Sequence, residues 1–127
     1  MTRSTKRIRR LVVGDETFLW SVRHSHRPDE QGRNTDCRET LALGLEGSRG
    51  RLRIVFREGP GRLVPAGYPE LSGSVGTMAG PSLNLHEPGT VRAVLDEARA
   101  RGWDPGGSSR LEIDGWDLHD AVAARRA

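Results

Sequence analysis

The chain is poor in cysteine, in lysine and in long apolar runs, and each scarcity excludes a class of protein. Cys37 is the only cysteine among 127 residues, which excludes an internal disulfide framework and favours a reducing, cytoplasmic location. Lys6 is the only lysine, so there is no Gly-Lys pair for a P-loop and no lysine in the expected fold for a Schiff base. No apolar run approaches the roughly 20 residues of a membrane-spanning helix, so we expect no membrane partner.

Arginine is abundant, and the chain is long enough for one domain. The 20 basic residues outnumber the 17 acidic ones and give a net charge of +3. A length of 127 residues allows a core that needs no disulfide bonds. We predict a basic flexible tail over residues 1–7 and a single α+β domain over residues 8–127.

The segment from Asn84 to Pro105 has the clearest local pattern, because it contains a helix start, an amphipathic body and a helix stop in that order. Pro88 suits the first turn, where a backbone N–H lacks a partner in any case. The apolar residues that follow recur at i, i+3, i+4 and i+7 and form one stripe: Val91, Val94, Leu95 and Ala98. Gly102 and Trp103 are typical of a left-handed helix end. The pattern predicts one main helix over about residues 88–101, lying on a sheet.

Alternating apolar residues predict four antiparallel strands in the first half of the chain. Residues 8–13, followed by an alternation at positions 18, 20 and 22, indicate a first hairpin. Two further alternating sets indicate a second hairpin with one apolar face turned inward: Leu41, Leu43 and Leu45, then Leu52, Ile54 and Phe56. The fold class expected is therefore α+β, with an antiparallel sheet of two N-terminal hairpins and four to six strands, packed by the main helix and a short C-terminal helix over residues 116–125.

Loops and short strands complete the expected fold. Residues 25–36 and 58–81 are rich in glycine, proline and charge, which is typical of loops. Within the second of these, residues 63–64 and 74–75 are candidates for short edge strands. Leu83 with Leu85, and residues 110–113, each indicate one more short strand.

Two local motifs resemble those of a scattered set of small uncharacterised bacterial proteins. One motif is the strand sequence Trp20-Ser21-Val22, and the other is the helix that begins at Pro88-Gly89-Thr90-Val91 and ends at Gly102-Trp103-Asp104-Pro105. The resemblance implies a β-rich first half and one such helix near the C-terminus. It implies no activity and no catalytic residue.

A metal site is one hypothesis that the residue types support. His24 and His26 are two residues apart, so a continuous strand would place both imidazoles on one face. Cys37 and His86 are the further candidate ligands, and a set of one cysteine and three histidines suits zinc. The alternative interpretation is that these side chains are solvated or hydrogen-bonded.

Nucleic-acid binding is a second hypothesis. Four arginines lie on or beside the outward face of one expected strand, and three more lie near the N-terminus: Arg49, Arg51, Arg53 and Arg57, then Arg7, Arg9 and Arg10. A basic sheet face with a basic arm is able to contact phosphates. Binding of single strands on a sheet normally adds exposed aromatic rings, and none is expected on this face. A solvated face that protects an edge strand is the alternative interpretation.

No motif indicates a specific enzyme. The chain has no Gly-x-Ser-x-Gly sequence, and the glycine-rich segment 73–80 lacks the lysine and the following helix of a phosphate-binding loop. We therefore predict a small non-catalytic binding or adaptor protein of the bacterial cytoplasm, without a cofactor and with an unknown protein partner. Nucleic-acid binding and a zinc-binding protein or enzyme remain the two alternatives.

Overall fold

Four strands follow one another as an antiparallel meander at the start of the chain. The structure is a computed structural model that describes residues 7–65 and 72–127, so most of the expected basic tail lies outside the described residues. The strands are β1 (Arg9–Val13), β2 (Glu16–Pro28), β3 (Asn34–Leu45) and β4 (Arg51–Arg57). Each pairs with the next in antiparallel register, which confirms both expected hairpins.

The connection between β2 and β3 is much shorter than the loop expected over residues 25–36. Both strands continue into that segment, with an irregularity in the register between Ser25 and Arg27, and only residues 29–33 turn the chain. Asp29 stabilises this turn, because its Oδ1 accepts the backbone N–H groups of Gln31 at 2.9 Å and of Arg33 at 2.8 Å. A polar composition therefore concealed two long strand ends joined by a tight turn.

A second, smaller sheet forms inside the glycine-rich segment. Its strands are β5 (Arg62–Leu63), β6 (Ser74–Thr77) and β7 (Ser82–Asn84), and they pair in that order in antiparallel fashion. The short strands expected near residues 63, 74 and 83 are thus confirmed.

The main helix, α1 (Pro88–Ala100), has the expected bounds and end signals. Pro88 stands in the first turn, and all four residues of the expected apolar stripe are buried. Gly102 adopts a φ of 103° and its N–H donates to the Arg99 carbonyl, while the Trp103 N–H donates to the Ala98 carbonyl. This pair of bonds is the Schellman arrangement, in which a left-handed residue caps the last carbonyls of a helix.

The last two elements complete the larger sheet and cover it. Strand β8 (Arg110–Asp114) pairs with β4 in parallel, giving the order β1-β2-β3-β4-β8, and α2 (Trp116–Arg126) follows it. The parallel fifth strand departs from an all-antiparallel sheet, because α1 lies between β4 and β8 and returns the chain in the same direction. The fold is α+β as expected, with a sheet of five strands, a smaller sheet and two helices.

One face of the larger sheet forms the core. Its inward side chains pack with residues of α1, α2 and the smaller sheet. The largest fully buried side chains of this core include Phe18, Leu41, Leu43 and Phe56 from the sheet and Leu95 from α1. Among the described residues, neither helix has the length and apolar content that crossing a bilayer requires.

The helix–sheet contact supplies much of the stability. Replacing Leu95, which is 0% exposed, with alanine leaves a cavity in the core, so we expect a loss of about 2–5 kcal/mol in the free energy of unfolding, measured by urea denaturation. The matched control is Leu111→Ala, because Leu111 is 44% exposed. Similar losses in both variants would show that α1 is not packed on the sheet in this way.

Candidate functional site

The open face of the larger sheet carries most of its strand arginines. Because side chains alternate along a strand, the neighbours of the buried core residues point to the opposite face. Across the strands, the register aligns two rows on that face: Ser21, Ala42, Arg53 and Glu112, then Arg23, Thr40, Val55 and Asp114. We name this surface the open face.

The open face is concave. A groove of about 570 Å³ runs over it, with a floor of small side chains and arginines around them: Ser21, Thr40, Ala42 and Gly44, then Arg23, Arg51, Arg53 and Arg110. Ser21 is only 7% exposed and Thr40 only 5%, although no described helix packs on this side. The groove thus combines a floor of small residues with long basic side chains around it.

Three of the groove arginines have no protein partner. Within residues 7–65 and 72–127, the side chains of Arg23, Arg53 and Arg110 make neither an ion pair nor a hydrogen bond. Arg51 instead donates to the carbonyls of Ser48 and Gly50, at 2.8 and 2.7 Å. Glu112 also lines the groove, opposite Arg53 in the register, but among the described residues its ion pair is with Arg57, at 3.7 Å.

The expected basic residues divide between the two faces. Arg51, Arg53 and Arg57 lie on the open face, and Arg57 lies 3.7 Å from Glu112. Arg10 is on the same face, with its Nε 3.9 Å from Glu46.

Three expected residues lie away from the open face. Arg9 belongs to the other face, where its guanidinium lies 5.4 Å from the centre of the Trp20 ring and donates to the His86 carbonyl at 3.3 Å. Arg7 and Arg49 are exposed outside the strands.

Sequence reasoning missed Arg23 and Arg110 as members of the groove. Arg23 carried a signal, because it follows Leu19 and Ser21 in the outward half of the β2 alternation. The sequence around Arg110 contains no pattern that predicts this position, because only the parallel pairing of β8 with β4 brings Arg110 to the open face.

A second polar cluster lies on the covered face, where the smaller sheet meets the end of β2. The Glu39 carboxylate is 0% exposed, and His24 stands directly opposite it on β2. Glu39 Oε1 lies 2.5 Å from His24 Nδ1, and Glu39 Oε2 accepts the Gly73 N–H at 3.1 Å. One buried carboxylate therefore joins the larger sheet to the start of β6. The remaining ring nitrogen of His24, Nε2, is buried without a partner among the described residues.

The four candidate metal ligands do not assemble into a metal site among the described residues. No group of three histidine, cysteine or acidic side chains there is placed to hold an ion. The physical reason is that the side chains have other neighbours. His24 contacts Glu39 through Nδ1, His86 contacts Ser72 through Nε2, and His26 is exposed with its ring 5.3 Å from that of His24. The zinc prediction thus gains no ligand set from these residues.

The surroundings of Cys37 disfavour the thiolate form of its side chain. It is buried on β3, and its backbone N–H donates to Glu58 Oε1 at 3.0 Å. Burial raises the pKa of the thiol, and the nearby carboxylates of Glu58, Asp36 and Glu39 raise it further. Since only the thiolate is a good nucleophile or metal ligand, this environment argues against both roles.

Comparisons with protein-family models, with curated proteins and with solved structures returned no match to this chain. The resemblance to small bacterial proteins therefore gains no support from them.

We expect the buried Glu39 carboxylate to be required for stability. Glu39→Leu removes the acceptor for both His24 Nδ1 and the Gly73 N–H, and a buried donor left without an acceptor costs about 1–3 kcal/mol in the free energy of unfolding. Urea denaturation measures the loss. The exposed Glu46→Leu serves as the control, and an equally small effect in both variants would contradict a structural role for Glu39.

We expect Cys37 to react slowly with a thiol reagent such as dithionitrobenzoate. Because its pKa is raised, the thiolate forms at higher pH than in an ordinary cysteine, so the native rate at pH 7 should be far below the rate in urea and should rise at higher pH. Equal rates in the native and unfolded protein would contradict this environment.

Proposed function

We propose that the chain is a binding module whose open face receives a strand of single-stranded nucleic acid. The observation that carries the proposal is the groove over the open face, with Arg23, Arg53 and Arg110 free of acidic partners in the described structure. Phosphate groups would supply the negatively charged partner that these guanidinium groups do not have among the described residues. Arginine binds phosphate through two parallel N–H donors.

The distribution of charge supports the proposal more than the net charge does. A net charge of +3 is modest, but unpaired arginines are concentrated on one concave face, whereas the arginines of the helices are engaged with acids. On α1, Arg92 contacts Asp96 at 3.1 Å, and Arg101, which directly follows the helix, contacts Glu97 at 2.7 Å. A polyanion would therefore meet the open face in preference to the helical side.

The composition of the groove supports recognition of the backbone rather than of the bases. Trp20 borders the groove, but its ring is only 2% exposed and lies against Arg9 on the covered face, so it offers no stacking surface beside Ser21, Thr40 and Ala42. Stacking on aromatic side chains is the usual source of base contacts on a sheet. We therefore infer binding with little sequence preference and with a strong dependence on salt. A cytoplasmic location belongs to the same proposal, and the single free, buried cysteine is compatible with it.

The test is fluorescence anisotropy with a labelled 20-nucleotide single strand at 50 and 200 mM salt. We expect Arg53→Gln/Arg110→Gln to weaken binding at least tenfold at 50 mM. Loss of two phosphate contacts should also reduce the slope of log K against log salt by about 1.4.

The matched control is Arg92→Gln/Arg101→Gln, which removes the same charge from α1. An equal loss of affinity in the control would overturn the proposal, because it would show that only overall charge matters. No binding by the unmodified chain would also overturn it. Equal binding of polyglutamate would assign the groove to an acidic protein segment instead.

A further inference from the structure

The covered face contains a serine–histidine contact that the proposed binding function does not use. Ser72 Oγ lies 3.0 Å from Nε2 of His86, and the pair is only partly buried. A hydroxyl within hydrogen-bonding reach of an imidazole is the arrangement that activates a serine nucleophile. We propose that Ser72 and His86 are the nucleophile and the general base of a site that transfers the acyl group of a carboxylic ester to water.

Gly73 makes this contact sterically feasible. It adopts a φ of 82°, a conformation that favours glycine, and a Cβ at this position would lie 2.5 Å from Cδ2 of His86. The imidazole therefore lies directly over the backbone beside Ser72, at a distance that a side chain on residue 73 would not allow. The backbone conformation of Gly73 and its lack of a side chain both allow the contact between Ser72 and His86.

Independent hydrogen bonds fix both members of the pair. On the serine side, the Gly73 N–H donates to the buried Glu39 carboxylate at 3.1 Å, and the Gly73 carbonyl accepts the Leu85 N–H at 2.8 Å. On the histidine side, the His86 N–H donates to Asn84 Oδ1 at 2.9 Å, and the His86 carbonyl accepts from Arg9 at 3.3 Å. Catalytic groups require this kind of support, because small misplacements of the reacting atoms reduce rates strongly.

Glu39 and His24 are positioning residues in this arrangement. Burying a carboxylate is costly unless it is fully hydrogen-bonded, and Glu39 is bonded to His24 and to the backbone directly after Ser72. The two residues act on the site through Gly73.

The reaction proceeds in two balanced steps. With the ring proton of His86 on Nδ1, Nε2 takes the proton of Ser72 as Oγ bonds to the ester carbonyl carbon. The bond from that carbon to the alkoxy oxygen then breaks, and His86 returns the proton to the departing oxygen. In the second step, water loses a proton to His86 and attacks the carbonyl carbon of the acyl-serine. The bond from that carbon to Ser72 Oγ then breaks, and His86 returns the proton to Ser72 Oγ.

The surroundings of His86 indicate which esters would react. Within the described residues, no carboxylate contacts the His86 ring, so the base lacks the orienting acid of a complete triad. An imidazole that no carboxylate orients is held less firmly for transfer of its proton to a departing oxygen, and poor leaving groups depend most on that transfer. We therefore expect acyl donors with a good leaving group, such as aryl esters, rather than amides.

The test uses a fluorophosphonate probe and p-nitrophenyl acetate with the full-length chain. We expect the probe to label Ser72, identified by peptide mass spectrometry, and ester turnover to fall at least tenfold in Ser72→Ala and in His86→Gln. Labelling of Ser72 by the probe should likewise be slower in His86→Gln, because the variant lacks the base that accepts the serine proton.

Two controls separate the site from general reactivity. Ser74→Ala removes an exposed serine of β6 and should change neither labelling nor turnover, and His26→Gln tests direct acetylation of an exposed imidazole. Absence of a label on Ser72 in the unmodified protein would overturn the proposal without depending on the folding of any variant. Unchanged turnover in Ser72→Ala would overturn it as well.

Discussion

The register between β2 and β3 is the constraint on which the rest of the structure depends. It places Trp20 opposite Leu43 on the covered face and Ser21 opposite Ala42 on the open face. A slip of one residue would exchange the faces of every side chain on the strand. The core, the arginine groove and the contact between His24 and Glu39 all follow from this single pairing.

The cost of placing a carboxylate in the core is offset by its hydrogen bonds. Glu39 follows the same inward alternation as Leu41 and Leu43, so the strand alone would bury it whatever its chemistry. His24 and the backbone of Gly73 occupy its two oxygens, and Gly73 belongs to the turn that leads into β6. The polar contact therefore attaches the smaller sheet to the larger one at a point where leucine could supply only nondirectional packing.

The parts of the fold that could be predicted from the sequence are those with local causes. The alternation around Trp20 and Leu43 predicted the two hairpins, and Pro88 with Gly102 bounded the main helix, because each signal acts within a few residues. The same alternation, continued from Leu41 toward the N-terminus, places Glu39 on the covered face.

Long-range contacts could not be predicted. The parallel pairing of β8 leaves no local pattern, so Arg110 was missed as a groove residue. Ser72 and His86 are fourteen residues apart, and they meet only because β6 and β7 fold back on each other. The contacts of Arg9 with the Trp20 ring and the His86 carbonyl also depend on tertiary packing and leave no local pattern.

The two proposed sites are physically separate, although their residues adjoin in sequence. Arg23 and His24 are neighbours on β2, but the first lies in the open groove and the second contacts Glu39 on the covered face. The backbone of the sheet lies between them, so a ligand in the groove does not reach Ser72 or His86 directly. Any coupling would have to pass through the positions of β2 and β3, because Arg23 with His24 and Thr40 with Glu39 are adjacent residues that face opposite sides of the sheet. The sheet thus allows a charged surface and a buried polar cluster to be changed independently while its register is kept.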